Sequence, residues 1–300
     1  MKIAFNTIAC SSWTLERVMS FADEVEYDGV ELRTFGWGSG GLVCEPALTD
    51  DAKIRRLAID SGTHIMCLAT SLRFDQAVFP PVIGQVLPTR NRVQEAGKRF
   101  LALADDIECP MIRVFGFGAR ANEKRSRTVH RIVTQLGEVL DGAQSRQVRI
   151  VLENGGSFCT ATDLKEIITQ CNSPWLGAAY NIAVGARAGE SIEQACDCLG
   201  ARLWSVKLND IQGTQAVELG HGEIPVERAV RHLAQIQYPG WLVVEWMKHW
   251  MPELAPTEGV LRRSQETIRG WIAQSTGSES NESAADLIDR DDITAHAASV

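Results

Sequence analysis

The segment "LWSVKLND", residues 203–210, decides the fold. Leu203, Val206 and Leu208 are apolar, as in a buried strand. Ser205, Lys207 and Asn209 alternate along it and so share one face. A lysine is almost never fully buried without a partner. Two readings follow: the polar face looks into water, or Lys207 meets opposite charge in a pocket.

Working outward, seven similar runs flank this one: "KIAFNTI" (2–8), "GVELR" (29–33), "HIMCLAT" (64–70), "MIRVFGF" (111–117), "VRIVLEN" (148–154), "LGAAYNI" (176–182) and "GWLVVEW" (240–246). Amphipathic stretches of helical period follow each of them, such as "TLERVMSFADEV" (14–25), "HRIVTQLGEVLDGAQ" (130–144) and "GVLRRSQETIRGWIAQ" (259–274). Asp50 and the Thr162–Asp163 pair supply capping residues, and Gly62 and Gly200 supply stops. Eight strand–helix units with this alternation predict parallel strands closed into a (β/α)8 TIM barrel, spanning residues 1–274. The stretch "FGWGSGG" (35–41) follows the second strand and leads into a loop, so it is not a dinucleotide fingerprint.

Composition narrows the class. Hydrophobic residues make up 45% of the chain and charged residues 23%, as in ordinary globular proteins. No apolar run is long enough for a bilayer span, and the N-terminus "MKIAFNTIACSSW" does not read as a signal peptide, so a cytoplasmic location and no membrane partner are expected. Residues 275–300 carry six acids against Arg290, a large part of the net charge of −8, and read as a flexible acidic tail. The remaining body has no basic face for phosphates, which argues against nucleic acid. The eight cysteines form neither a disulfide framework nor a zinc pattern; the Cys196–Cys198 pair lies in a helical stretch and reads as packing.

In a barrel, chemistry gathers at the C-terminal ends of the strands. Residues there are Glu31 and Arg33, Arg73, Arg113, Glu153 with Asn154, Asn181, Lys207 with Asn209 and Asp210, and Glu245. In order and spacing, "YDGVELR", "IRVFGF", "IVLENGG", "LGAAYNIAV", "LWSVKLNDIQG", "LGHGEIPV" and "GWLVVEW" resemble the xylose isomerase-like TIM-barrel superfamily, which includes sugar phosphate isomerases and epimerases and AP endonuclease family 2. The resemblance covers residues 2 to 274. It implies a small-molecule sugar or polyol substrate, and a homodimer, since such barrels often pair.

The resemblance also implies one divalent ion, Mg²⁺ or Mn²⁺, held by Glu, Asp, His and Glu on successive strands. Here those positions carry Glu153, Asn181, Lys207 and Glu245. Glu153, Asn181 and Glu245 remain candidate metal ligands. A protonated Lys207 is no ligand, and the alternative is an ion network in which its ammonium replaces the metal's charge. Glu153 and Glu245, with Lys207 beside them, are the expected catalytic residues of an isomerase or epimerase working by proton transfer. Arg73, Arg113, Asn209, Asp210 and His221 are the expected substrate contacts, although Arg113 and the Glu31/Arg33 pair also fit as ion partners inside the barrel. A Schiff base on Lys207 is disfavoured, because flanking carboxylates raise a lysine's pKa. The competing reading is a catalytically silent barrel that binds a carbohydrate or a partner protein. His64, at the start of its strand, and Trp246 are read as structural.

Overall fold

The computed structural model describes residues 1–35, 44–74, 89–119 and 122–275. Most of the glycine-rich stretch after Phe35 and the acidic tail from 276 onward therefore lie outside the described residues.

The barrel strands are β1 (Lys2–Asn6), β2 (Gly29–Arg33), β3 (His64–Ala69), β4 (Met111–Phe117), β5 (Arg149–Gly156), β6 (Leu176–Asn181) and β7 (Leu203–Leu208). A short antiparallel hairpin, β8 (Asp210–Gln212) with β9 (Gln215–Val217), precedes the last barrel strand, β10 (Trp241–Val244). Each barrel strand pairs in parallel with its neighbours, and β10 closes on β1 with Phe5 opposite Val244. Around them run α1 (Leu15–Glu24), α2 (Asp51–Ser61), α3 (Thr89–Asp106), α4 (Arg125–Arg146) and α5 (Ala161–Cys171). Then come a short α6 (Ile182–Arg187), α7 (Ile192–Leu199), α8 (Val226–Gln235) and α9 at 257–275. No helix among the described residues is long and apolar enough to cross a membrane.

Local chemistry places the helix ends where the sequence marked most of them. Asp50 caps α2 through Lys53 N, and Gly62 ends it in the left-handed region at φ 66°. At α5 the cap is Thr160 rather than Thr162: its side chain accepts from Asp163 N while Asp163 returns the bond to Thr160 N. The sequence reading missed α6 and the hairpin because six and three residues are too short to show a period.

Two apolar layers result. The larger lies between sheet and helices and takes the outward strand residues, among them Ile3, Phe5, Val30, Leu32, Val206 and Leu208. The smaller fills the barrel with Ala4, Met66, Cys67, Met111, Val151, Ala179 and Val243, and Trp204 and Trp241 pack against it. The tryptophans fit because two glycines stand beside them. A Cβ on Gly177 would lie 2.5 Å from the Trp204 ring, and one on Gly29 would lie 3.0 Å from Trp241. Gly177→Ala is therefore expected to cost about 1–3 kcal/mol through overpacking. Urea unfolding should show a lower midpoint at unchanged slope. An unchanged midpoint would mean that Trp204 moves aside freely.

Candidate active site

Above the apolar plug, the next inward residues of the strands are polar or charged, and they converge. Lys207 is fully buried, with no exposed surface. Its Nζ lies 2.8 Å from Glu31 Oε2, 3.1 Å from Glu245 Oε1 and 3.3 Å from Glu153 Oε2. Arg113, also buried, places Nη1 3.1 Å from Glu153 Oε2 and Nε 4.0 Å from Glu31 Oε1. Asn6, at the end of β1, donates to Glu31 Oε2 at 2.5 Å. The inner face of "LWSVKLND" therefore looks into an ionic pocket, not into water.

The electrostatics follow from burial and neighbours. For Glu31, burial pushes the carboxyl pKa up, but Lys207 and then Arg113 outweigh it and hold the group below the usual range. For Lys207, burial and Arg113 favour the neutral amine, yet Glu153, Glu245 and Glu31 together raise its pKa above that of a free lysine. It is an ammonium at neutral pH, which leaves no free amine for a Schiff base. Burial, aided by Arg113, lowers Arg33 to about 10. Arg33 donates to the Ala69 and Thr70 carbonyls at 3.0 and 2.7 Å, tying the end of β2 to the loop after β3.

Glu245 differs from the other two carboxylates. Its side chain is 11% exposed against 2% for Glu31 and 8% for Glu153, the largest opening of the three. Oε1 accepts from Lys207, and Oε2 carries no hydrogen bond among the described residues. One oxygen is thus anchored and the other open.

The residues do not fit a divalent ion. The point between the three carboxylates is taken by the Lys207 ammonium. At an effective dielectric of ~20, two like unit charges 4 Å apart repel by about 4 kcal/mol, and a divalent ion doubles this. Asn181 also turns the wrong atom inward. Its Oδ1 accepts from Ala183 N and Val184 N, capping α6, and its Nδ2 points at Glu153 Oε1 at 3.5 Å. Asn154 locks that geometry: its Oδ1 accepts from Asn181 N at 2.6 Å and its Nδ2 donates to Asn181 O at 3.1 Å. No group of three or more His, Cys, Asp or Glu that could hold a metal ion occurs among the described residues.

The remaining expected residues scatter. Asp210 accepts from Ile211 N, Gly220 N, Gly222 N and Ile224 N at 2.9–3.1 Å, so both its oxygens are committed to folding the 218–224 loop. His221 is exposed in an outer cleft of about 630 Å³ shared with Trp246, Leu254 and Arg263, apart from the charged cluster. Arg73 is exposed beside the fully buried Phe74. Asn209 is half-buried, and its Oδ1 makes no hydrogen bond among the described residues. Trp246 is buried and donates to Ala255 O at 3.2 Å, a packing role as expected. Exposed His64 meets Trp241 edge-on at the start of β3, away from the cluster.

The sequence reading placed Glu31 among the interior ion partners, where the structure has it, and missed Asn6 and the pair Ser11–His249. Ser11 Oγ lies 2.8 Å from His249 Nδ1, and the ring packs edge-on against Trp250 and tilted against Phe35. Asn6 could have been found by the rule that found Asn181, a polar residue closing a strand. His249 follows Glu245 by four residues in a loop without periodicity, and nothing local marks it.

Comparison with known proteins agrees with the barrel fold. The family described as "Xylose isomerase-like TIM barrel" matches residues 19–271. An L-ribulose 3-epimerase superposes with TM-score 0.75 at 15% identity, covering 96% of this chain and 97% of that one. A D-tagatose 3-epimerase-like protein gives 0.71 at 16%, covering 93% and 99%. A probable 3-DHS dehydratase, AsbF, from Bacillus anthracis gives 0.72 at 14%, covering 90% and 99%. No protein of curated function matches the sequence.

Proposed function

We propose that this chain, which belongs to the xylose isomerase-like TIM barrel family, isomerises or epimerises a sugar or polyol-derived carbonyl compound by carboxylate-mediated proton transfer. The observation that carries the reading is Glu245: one oxygen pinned by Lys207, the other open at the upper end of the barrel. A base so held is oriented without being fully neutralised.

In this reading Glu245 Oε2 takes the proton from the carbon next to the substrate carbonyl. The electron pair moves onto the carbonyl oxygen, giving an enediolate. The charge of Lys207 and Arg113 offsets the negative charge that develops. The proton then returns to the neighbouring carbon or to the opposite face. Glu153 is the second carboxylate, since among the described residues its Oε1 has only the long 3.5 Å contact from Asn181. No step is routed through a metal. The similar epimerases support the substrate class and do not specify which sugar.

The test is solvent exchange. The purified protein is incubated in D2O with a panel of free and phosphorylated ketoses and aldoses, and the C–H next to the carbonyl is followed by NMR. Catalysis predicts deuterium at one such position of one substrate. Saturable binding with no exchange would support the silent-barrel reading instead, which the fully paired Lys207 favours.

A further inference from the structure

Three carboxylates from three strands converge on one point, and the group at that point is an ammonium. Cages of carboxylate oxygens are what hard divalent ions select. We infer that Lys207 is a resident cation standing where a divalent ion would sit, so that the native site takes up no divalent metal, and that removing this side chain makes the same carboxylates a metal site.

Three observations carry this. Contacts of 2.8, 3.1 and 3.3 Å to Glu31, Glu245 and Glu153 place Nζ inside the cage rather than beside it. The stem cannot swing away cheaply. Lys207 has no exposed surface, its backbone is held between Asn181 on β6 and Val243 on β10, and the barrel plug lies beneath it. The cage also differs in composition from the ligand set implied by the resemblance. Glu31, on the far side of the barrel, makes the shortest contact, whereas Asn181 presents its amide nitrogen. The charge therefore balances internally: the ammonium and Arg113 face three carboxylates, with Arg33 within electrostatic reach.

The inference concerns occupancy of the cage and stands whether or not the barrel turns over a sugar. It is tested with Mn²⁺ alone as the probe, on protein stripped with EDTA. Electron paramagnetic resonance counts bound ions, and thermal unfolding reads the shift. Wild type is expected to bind no Mn²⁺ in the barrel and to show no shift. Lys207→Ala is expected to bind about one Mn²⁺ per chain and to gain roughly 5 °C at saturating ion. Adding Glu31→Gln to it should weaken that binding about tenfold or more, marking Glu31 as a ligand. If Lys207→Ala folds only with Mn²⁺ present, the inference is supported. If it folds with neither, the double variant Asn181→Asp/Lys207→His decides, and failure of that variant to take up an ion overturns the inference. A stoichiometric EDTA-removable ion in wild type overturns it outright, as does a folded Lys207→Ala that binds none.

Discussion

Lys207→Met is expected to lower the unfolding free energy by about 3–5 kcal/mol at pH 7.5, the largest loss of any single substitution in the cluster. Methionine roughly fills the volume but removes the charge that Glu31, Glu153 and Glu245 share. Three carboxylates would then face Arg113, with Arg33 nearby, at low dielectric. The pH dependence gives the mechanism away. In wild type the Glu31 pKa is lowered by folding. Its contribution is therefore complete above the unfolded value, about 4.3, and is lost as pH falls through the lower folded value. In the variant the carboxyls should titrate above their unfolded values. Protonation then favours the folded form, and the deficit is present at neutral pH and shrinks as pH falls toward 5. Urea unfolding at pH 7.5 and 5.0 measures both. A deficit independent of pH would mean that methionine packing, and not charge, accounts for the loss.

Glu245→Gln is expected to reduce solvent deuterium exchange by about 10³-fold while leaving stability within about 1 kcal/mol of wild type. The amide oxygen keeps an acceptor for Lys207, and the lysine retains Glu31 and Glu153. What disappears is the only acid–base function on the most open carboxylate of the cluster. Glu31→Gln is the control. Buried deeper and tied to Asn6, Lys207 and Arg113, it should affect stability more than exchange. Equal loss of exchange in both variants would show that exposure does not single out the reacting group.

Most of the barrel was readable from residue order. Strand and helix periods differ, they alternate eight times, and capping residues such as Asp50 and Gly62 mark the boundaries. Glu153, Lys207 and Glu245 were readable as well, because a charged residue on the inner face of an apolar strand has few places to go. Arg113 was readable as an interior ion partner for the same reason. The assignment of Asp210 and His221 to the pocket did not follow the same logic. They lie on a loop whose path depends on hydrogen bonds from Gly220, Gly222 and Ile224 to Asp210, and such paths leave no period in sequence.

What the sequence determined by itself was the class of fold and the side chains that point into it, since both follow from periodicity and burial. Which of those side chains meet was decided only by closure of the sheet. The stagger between strands sets Asn181 opposite Lys207 and Lys207 opposite Val243, and it carries Glu31 from the far side of the barrel to the ammonium. Likewise, the capping of α6 turned the Asn181 oxygen away from the cage. A charge's partner depends on distance across the closed barrel, and distance across a barrel is not a local property of the chain.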